Sequence, residues 1–432
     1  MTIHVVQPGQ TLFSIARDYG VDPNRLGADN GVPSSGALAV GQTLVVQSIR
    51  TAHIVQPGQS LFDIAGQYSI PLRQLYRNNY FLGGFPAIQP GQMLVIRYDE
   101  NKLGTLHTNG YAYPFIQTQT LRSTLPYMSY LTPFTYGITA QGKLLPLDDN
   151  MLLEEARSLG TGALMHLSSL TEDESFSSQR AADLLTTPTR QTAIIEQIAS
   201  TMVEKGYIGL DVDFEYIPAA QGQAYVEFIS ALRRRLSPLG YPVLVALVPK
   251  TFARQPGLLY EAHDYAALGA AADFVLLMTY EWGYTYGPPM AVAPLPNVRR
   301  VLDYAVTEIP REKIYLGIPN YGYDWPLPFR QGETRARSIS NQEAVEIAVR
   351  YGAEIQYDET AQSPWFQYTA EDGVVHQVWF EDARSMSAKL RLVQAYSLYG
   401  AGYWNLMRPY PQGWVLLNTL YDVHDIFLSK MQ

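Results

Sequence analysis

Three acidic residues stand at alternate positions in the segment 206–216, and this spacing constrains the fold more than any other feature of the sequence. The acids are Asp211, Asp213 and Glu215, and the apolar residues that alternate with them are Leu210, Val212 and Phe214. Because side chains of a β-strand point to opposite faces with a period of two, the acids share one face of a strand. An antiparallel surface strand could expose the acids to water, but three adjacent carboxylates repel one another. The pattern favours an inward-facing strand of a parallel α/β barrel, with Glu215 at its open carboxyl end.

Composition narrows the classes of protein to which the chain can belong. It has 432 residues, of which 47% are apolar and 16% charged, as expected for two or three domains with sizeable cores. No run of about 18 apolar residues occurs, so we expect no membrane-spanning helix. The net charge of −9 argues against nucleic acid and anionic membranes as partners. The absence of cysteine excludes disulfides, thiolate metal sites and cysteine nucleophiles.

The first hundred residues contain one pattern twice. His4–Ala16 matches His53–Ala65, and Val40–Val46 matches Pro90–Ile96. Each copy predicts a strand, a Pro-Gly turn, a helix with Thr11 or Ser60 as its N-cap, a second short helix and a closing strand.

This βααβ pattern resembles the LysM module, which binds glycans that contain N-acetylglucosamine, such as peptidoglycan and chitin. The resemblance predicts modules at 1–48 and 50–98, followed by a brief linker. It implies that glycan lies between the loop after the first strand and the loop before the last strand. The implied contacts are Gly9, Gln10, Thr11, Leu12, Asn30 and Gly31 in the first copy, and Gly58, Gln59, Ser60, Leu61, Asn79 and Tyr80 in the second. A purely structural pair of small domains is the alternative.

Strand-like and helix-like segments alternate from about residue 106 onward, which predicts a parallel sheet with crossover helices. Eight strands would close a (β/α)8 TIM barrel within 105–432. The predicted strands are Thr108–Tyr113, Met128–Ile138, Ala163–Leu167, Ile208–Glu215, Val243–Val248, Phe274–Tyr280, Ile314–Asn320 and Gly402–Asn405. The predicted helices include Asn150–Leu159, Arg190–Lys205, Gln221–Leu236, Asn297–Val306 and Asp382–Tyr399. Short strand patterns predict a small α+β insertion at Ala353–Phe380, between the seventh and eighth barrel strands.

The segment Ile208–Glu215 resembles the Asp-Gly-x-Asp-x-Asp-x-Glu signature of glycoside hydrolase family 18, the chitinase-like enzymes, with Ile208 in place of the first Asp. Met278-Thr-Tyr280, Gly317-Ile-Pro-Asn-Tyr-Gly322 and Trp404 resemble further family motifs at the ends of later strands. Glu281 stands where Asp is usual, and the third strand lacks the Ser-x-Gly-Gly of many chitinases, which indicates a divergent branch. The alternatives are a chance match for the acidic pattern and simple core packing for Met278, Tyr280 and Trp404.

The family resemblance implies substrate-assisted hydrolysis with retention of configuration and with no metal or organic cofactor. Glu215 would be the general acid and base, with a pKa raised by Asp213 in a partly desolvated barrel. Asp213 would hold the acetamido N–H of the substrate, Asp211 would share charge with Asp213, and Tyr280 would donate to the acetamido oxygen. The implied substrate-binding positions are Met278, Glu281, Asn320 and Trp404, with Trp404 stacked beneath the sugar.

Two LysM modules followed by a family 18 barrel resemble the spore cortical fragment-lytic N-acetylglucosaminidases of endospore-forming bacteria, and so does the run Met278–Pro289. We therefore expect a monomer that hydrolyses the β-1,4 bond after N-acetylglucosamine in the peptidoglycan of spore cortex or its fragments. No secretory signal follows Met1, so synthesis in the mother cell and a place at the coat and cortex are expected.

Two other functions stay open from the sequence. A chitinase or chitooligosaccharide hydrolase would use the same residues, and a non-catalytic glycan-binding lectin of the spore coat would keep the fold. The presence of Glu215 argues against the lectin. The pattern leaves open whether cutting is internal or terminal. It also leaves open whether intact cortex or only fragments are attacked.

Overall fold

The computed structural model describes residues 1–32, 36–173 and 175–426. The last six residues of the predicted third domain therefore lie outside the described residues. Two small modules come first. In each module, two helices lie in the chain between the two strands of an antiparallel sheet. Their elements are β1 Thr2–Val5, α1 Leu12–Tyr19, α2 Pro23–Asn30 and β2 Thr43–Val46, then β3 Ile49–Ile54, α3 Leu61–Gln67, α4 Leu72–Asn78 and β4 Met93–Tyr98. The predicted βααβ plan is confirmed in both copies.

Local hydrogen bonds start the first helix of each module where the sequence predicts. The Thr11 hydroxyl accepts from the backbone N–H of Ser14 at 3.1 Å, and the Ser14 hydroxyl accepts from the N–H of Thr11 at 3.0 Å. Ser60 and Asp63 exchange the same two bonds in the second module. These reciprocal bonds pair N–H groups that a helix start otherwise leaves free.

The rest of the chain alternates strands and helices. Its strands are β5 Thr105–Ala112, β6 Tyr130–Pro133, β7 Gly137–Ile138, β8 Leu144–Leu145, β9 Gly162–Ser168, β10 Gly209–Asp213, β11 Val243–Leu247, β12 Phe274–Leu277, β13 Ile314–Pro319, β14 Gly322–Pro326, β15 Arg337–Ile339, β16 Gln356–Asp358, β17 Ser363–Thr369, β18 Val375–Trp379, β19 Gly400–Trp404 and β20 Asp422–Val423. Its helices are α5 Thr118–Thr124, α6 Asn150–Ser158, α7 Ser178–Leu185, α8 Pro188–Lys205, α9 Gly222–Leu236, α10 Tyr265–Ala271, α11 Leu295–Glu308, α12 Asn341–Tyr351, α13 Ala383–Ala395 and α14 Pro411–Leu420.

Eight parallel strands close into a barrel, as predicted. Their order is β5, β6, β9, β10, β11, β12, β13 and β19, and β19 pairs with β5 to close the ring. The predicted second strand, Met128–Ile138, is too long, because β6 ends at Pro133 and β7 then forms a hairpin with β8. Proline has no N–H to donate to a strand ladder, which fits an end at this residue.

A second sheet stands between β13 and β19 and is larger than the predicted insertion Ala353–Phe380. It has five strands in the order β15, β14, β18, β17 and β16, and α12 packs against it. The prediction missed β14, β15 and α12. The pairing partner of Tyr323 in β14 is Trp379 in β18, so no local signal marks β14 as part of this sheet.

Both small modules are docked on the barrel through α14, whose residues are all buried. The Gln412 amide donates to the carbonyl of Thr43 at 2.7 Å and to the Asn30 side chain at 3.1 Å. The Asn418 amide donates to the Asn78 side chain at 3.0 Å. These buried polar contacts hold the modules and the barrel in a fixed arrangement.

Candidate active site

The three acids lie at the carboxyl end of β10, inside the barrel. Leu210, Val212 and Phe214 are fully buried in the main core on the outer face of the strand, as the alternating pattern predicts. The Tyr111 hydroxyl from β5 donates to Asp211 at 2.7 Å. Because β6 and β9 separate β5 from β10, this bond crosses the barrel interior.

Burial sets the protonation of Asp211. The residue has no exposed surface, and burial raises its pKa to about 7, although the hydrogen bond from Tyr111 opposes the rise. Removal of a carboxylate from water disfavours its charged form. The side chain therefore carries a proton over most of the acidic range.

Asp213 lies between the other two acids. Burial raises its pKa well above the usual range, and the charges of Glu215 and then Asp211 raise it further. Its side chain remains 14% exposed, and the structure gives Oδ1 no hydrogen-bond partner among the described residues. Oδ1 is itself buried, so the exposed part of the side chain is the part that a ligand can reach.

His166 on β9, the strand next to β10, lies close to Asp213, a contact that the sequence analysis missed. Its Nε2 lies 3.9 Å from Oδ2 of Asp213, and its Nδ1 lies 2.6 Å from the Thr135 hydroxyl. Burial lowers the His166 pKa to about 3, so the ring is neutral. The third strand, where the Ser-x-Gly-Gly motif is absent, thus provides a neutral imidazole beside the acids. Register could have indicated it, because His166 pairs with Asp211.

Glu215 follows the last residue of β10 by two positions and is half-buried at the mouth of the barrel, hereafter the cleft. Burial raises its pKa, and the negative charge of Glu281 adds to the rise. Tyr280 is close enough that Asp213 and Glu215, after burial, raise the pKa of its hydroxyl. The structure therefore brings together all four residues predicted to be catalytic.

Glu281 lies at the rim of the cleft. Its carboxylate accepts hydrogen bonds from the hydroxyls of Tyr321 and Tyr323, the latter at 3.0 Å. Tyr321 lies between β13 and β14, and Tyr323 lies in β14. Glu281 is thus held in place by the segment that enters the inserted sheet.

Trp404 ends β19 and remains partly exposed. Its ring centroid lies 4.9 Å from Phe134 and 5.6 Å from Tyr111, and Met278 packs in the same cluster. Trp404 therefore borders the acids with an aromatic surface, the arrangement that a stacked sugar requires. The sequence analysis missed Tyr111 and Phe134, although Tyr111 falls within the predicted first strand.

Asn320 does not lie where a substrate-binding role requires. It is 1% exposed, and its amide donates to the carbonyls of Asn405 and Arg408 at 3.0 and 3.1 Å. The prediction that it binds substrate is corrected, because these bonds join the end of β13 to the loop after β19.

Two predicted glycan contacts of the modules are likewise structural. Asn79 is fully buried and exchanges three hydrogen bonds with the backbone of Leu75 and Val95. Asn30 makes the equivalent bonds to Leu26 and Val45. Both predictions are corrected, because these amides join a helix to a strand and do not reach the surface.

Most of the other predicted module contacts lie in the loops before α1 and α3, whereas Gly31 and Tyr80 follow α2 and α4. Leu12 and Leu61 begin α1 and α3, and Leu61 is a buried core residue, so its predicted glycan contact is corrected. Gly9 and Gly58 are exposed, with φ of 81° and 84°, a conformation that favours glycine. The side-chain oxygens of Gln10 and Gln59 accept from backbone N–H groups of their own turns at 2.8 and 2.9 Å. Thr11 and Ser60 are the exposed helix caps. These loops stay candidate glycan contacts.

Within the described ranges, no group of three or more His, Asp or Glu side chains is arranged to hold a metal ion. None of the helices in that part of the chain is both long and apolar enough to cross a membrane.

A closed eight-stranded barrel with these acids on its fourth strand defines a class of glycosidase. The chain belongs to the glycosyl hydrolases family 18, whose model matches residues 168–408, and the LysM domain model matches residues 4–47 and 53–97. It is a glycoside hydrolase that carries two LysM modules.

Particular relatives resemble the chain over nearly its whole length. It is 38% identical to the cortical fragment-lytic enzyme of Bacillus subtilis (strain 168), over 98% of this chain and 99% of the relative. The crystal structure of the Bacillus cereus spore cortex-lytic enzyme SleL matches with a TM-score of 0.83 and 35% identity, over 98% of each chain. A chitinase from Chromobacterium violaceum matches with a TM-score of 0.67 and 28% identity, over 73% of this chain and 98% of that one.

Proposed function

We propose that this chain is a peptidoglycan N-acetylglucosaminidase that acts, as a monomer, on spore cortex or its fragments and hydrolyses the β-1,4 bond after N-acetylglucosamine. The observation that carries the proposal is the row of Asp211, Asp213 and Glu215 at the open end of β10. The raised pKa values and the adjacent Tyr280 and Trp404 match the needs of substrate-assisted retaining hydrolysis.

Glu215 is the general acid and then the general base. A carboxyl group with a raised pKa keeps its proton closer to neutral pH and can donate it to the leaving glycosidic oxygen. After the leaving sugar departs, the same carboxylate takes a proton from the attacking water. Both steps occur at the mouth of the barrel, where water has access.

The substrate itself provides the nucleophile. Its 2-acetamido oxygen attacks the anomeric carbon and forms an oxazolinium ion, which water then opens with overall retention of configuration. Asp213 orients the acetamido N–H through the exposed part of its side chain and stabilises the positive charge. Asp211, held by Tyr111, shares protons with Asp213, Tyr280 donates to the acetamido oxygen, and Trp404 stacks under the sugar.

The peptidoglycan substrate is supported by the two LysM modules and by the names of the relatives. Cortical fragment-lytic and spore cortex-lytic enzymes match nearly end to end, whereas the chitinase covers 73% of this chain. Two modules docked rigidly on one barrel present their exposed loops in a fixed geometry to a polymer with many equivalent sites, which raises effective concentration. We propose an association with the spore at its cortex.

The test compares the wild type with Glu215→Gln on cortex fragments released by a lysozyme-type or amidase-type enzyme. New reducing ends are identified by mass spectrometry. We expect reducing N-acetylglucosamine from the wild type and a rate at least about 100-fold lower from the variant. Equal binding of both proteins to insoluble peptidoglycan serves as the control for folding.

Two outcomes would reject parts of the proposal. If neither protein cuts but both bind, the chain is a glycan-binding protein without hydrolase activity on this polymer. If the wild type cuts chitooligosaccharides and leaves cortex fragments intact, the mechanism stands and the substrate is wrong.

A further inference from the structure

Arg335 is an exposed cation without an acidic partner, in the loop between β14 and β15. Its loop neighbours are paired: Arg330 lies 3.5 Å from Glu333, and Arg337 contacts Glu343 and Asp324. In the described part of the chain, no carboxylate oxygen lies within 4.0 Å of the Arg335 guanidinium. A cation without a local partner is free to bind an anion from solution.

The loop holds Arg335 against the segment that follows β12. The backbone N–H of Ala336 donates to the Thr285 carbonyl at 2.8 Å, and the guanidinium carbon lies 5.7 Å from the ring centroid of Tyr286. The Trp325 indole donates to the Gly287 carbonyl at 2.8 Å and fixes the other end of the same turn. A cation on a tyrosine ring is attracted to the ring face, which limits its orientations.

A chain of contacts connects this position with the rim of the cleft. The rings of Tyr286 and Tyr284 lie 6.4 Å apart, and both residues belong to the segment that begins at Glu281. The ring of Trp325 lies 5.5 Å from that of Tyr323, whose hydroxyl donates to Glu281 at 3.0 Å. Arg335 therefore lies against the same segment as Glu281.

The cleft contains the acids Asp211, Asp213, Glu215 and Glu281. Any of them that is ionised repels an anionic substrate. In peptidoglycan, every second sugar bears a lactyl ether whose carboxylate is free or is extended by a peptide with its own carboxylates. Chitin carries no such group. A glucosaminidase of peptidoglycan thus needs a cation at the cleft, and a chitinase does not.

We propose that Arg335, seated on Tyr286, binds the carboxylate borne by the substituted sugar next to the N-acetylglucosamine whose bond is cut. This role rests on the proposed function and names the feature by which the cleft selects peptidoglycan over chitin. The planar guanidinium can donate two parallel hydrogen bonds to a carboxylate, and its exposed position leaves the donors free.

The test measures kcat/KM of the wild type, Arg335→Gln and Arg330→Gln on three substrates. They are a glycan with free lactyl carboxylates, a glycan with peptides on the lactyl groups, and a chitooligosaccharide. We expect Arg335→Gln to lose roughly three- to tenfold on at least one carboxylate-bearing substrate and nothing on the chitooligosaccharide. A loss on the first substrate identifies the lactyl carboxylate, and a loss confined to the second identifies the peptide.

The control and the contrary outcomes separate this role from the rest of the protein. Arg330→Gln removes another exposed charge from the same loop and should leave all three rates unchanged. An equal loss on all three substrates, or no loss on any, overturns the proposed role. If the wild type cuts only the chitooligosaccharide, the proposed function fails and takes this inference with it; if it cuts the glycans and Arg335→Gln cuts them equally well, the inference alone fails.

Discussion

Side chains with the same carboxyl group differ in protonation in this chain because their surroundings differ. Asp211 is fully buried and has a pKa near 7, whereas Glu215 stands at the mouth, where Glu281 contributes to its raised pKa. Water stabilises the charged form of a carboxyl group. Burial removes that water, so the pKa rises and the side chain keeps its proton at higher pH. In the proposed mechanism, depth in the barrel therefore decides the part that each acid plays.

The first prediction concerns the pH dependence of catalysis in Glu281→Gln. The substitution removes a negative charge that raises the Glu215 pKa, so that pKa falls. Glu215 must be protonated to act as the acid, and it then loses its proton at lower pH. We expect the alkaline limb of the kcat/KM profile to move to lower pH, whatever happens to the maximum rate.

The matched control for this prediction is Glu333→Gln, which removes a charge from an exposed loop residue. Its normalised pH profile should coincide with that of the wild type. An alkaline limb that stays in place in Glu281→Gln would show that this charge does not govern Glu215.

At the scale of the element, each small module depends on one buried asparagine. Asn79 joins the end of α4 to β4, and Asn30 joins α2 to β2 in the same way. The two asparagines occupy equivalent positions of the repeat. The resemblance to LysM modules predicted that they bind sugar. Burial identifies their role as structural, since a fully enclosed amide has no free donor for a ligand.

The second prediction is that Asn79→Ala destabilises the protein by about 2–4 kcal/mol. The change leaves two carbonyls and one N–H of the buried backbone without partners, and each loss is costly. Denaturant unfolding measures the difference. Asn101→Ala, in the exposed linker, should change the free energy of unfolding by less than about 0.5 kcal/mol. A similarly small effect for Asn79→Ala would contradict the structural assignment.

At the scale of the whole molecule, the modules and the barrel form one packed body. Arg77 of the second module is 3% exposed, pairs with Asp425 and donates to the Pro126 carbonyl at 2.6 Å. The linker is also fixed, because Lys102 donates to the carbonyl of Asn418 at 2.7 Å. The cleft and the exposed module loops consequently keep a constant spacing.

The third prediction is that Arg77→Ala weakens the entire chain, not the second module alone. Asp425 keeps its second partner Arg73 at 2.9 Å, so the change removes one of two ion pairs and a charged hydrogen bond to the buried Pro126 carbonyl, which costs about 1.5–3 kcal/mol. We expect one unfolding transition with a lower midpoint. Spectroscopic signals from the modules and from the barrel should change together in it. Arg50→Ala, on an exposed residue of the same module, should behave like the wild type. Separate unfolding of the module, with the barrel unaffected, would contradict rigid docking.

Local patterns in the sequence determined much of this protein. The period-two alternation around Asp211, Asp213 and Glu215 placed the acids on one face of a strand, and the repeat gave both small modules and their helix caps. The eight barrel strands followed from their regular alternation with helices. Each of these features depends on neighbours in the chain, so the sequence contains the signal directly.

Only the tertiary structure decided which distant residues meet. The pairing of β14 with β18, the contact of His166 with Asp213 and the docking of Gln412 on Asn30 join positions far apart in the chain. Burial also depends on the complete packing, which is why Asn30, Asn79 and Asn320 were assigned to ligands from sequence and to the framework from structure. A motif indicates which residue types are present, whereas access to a ligand depends on every element packed around them.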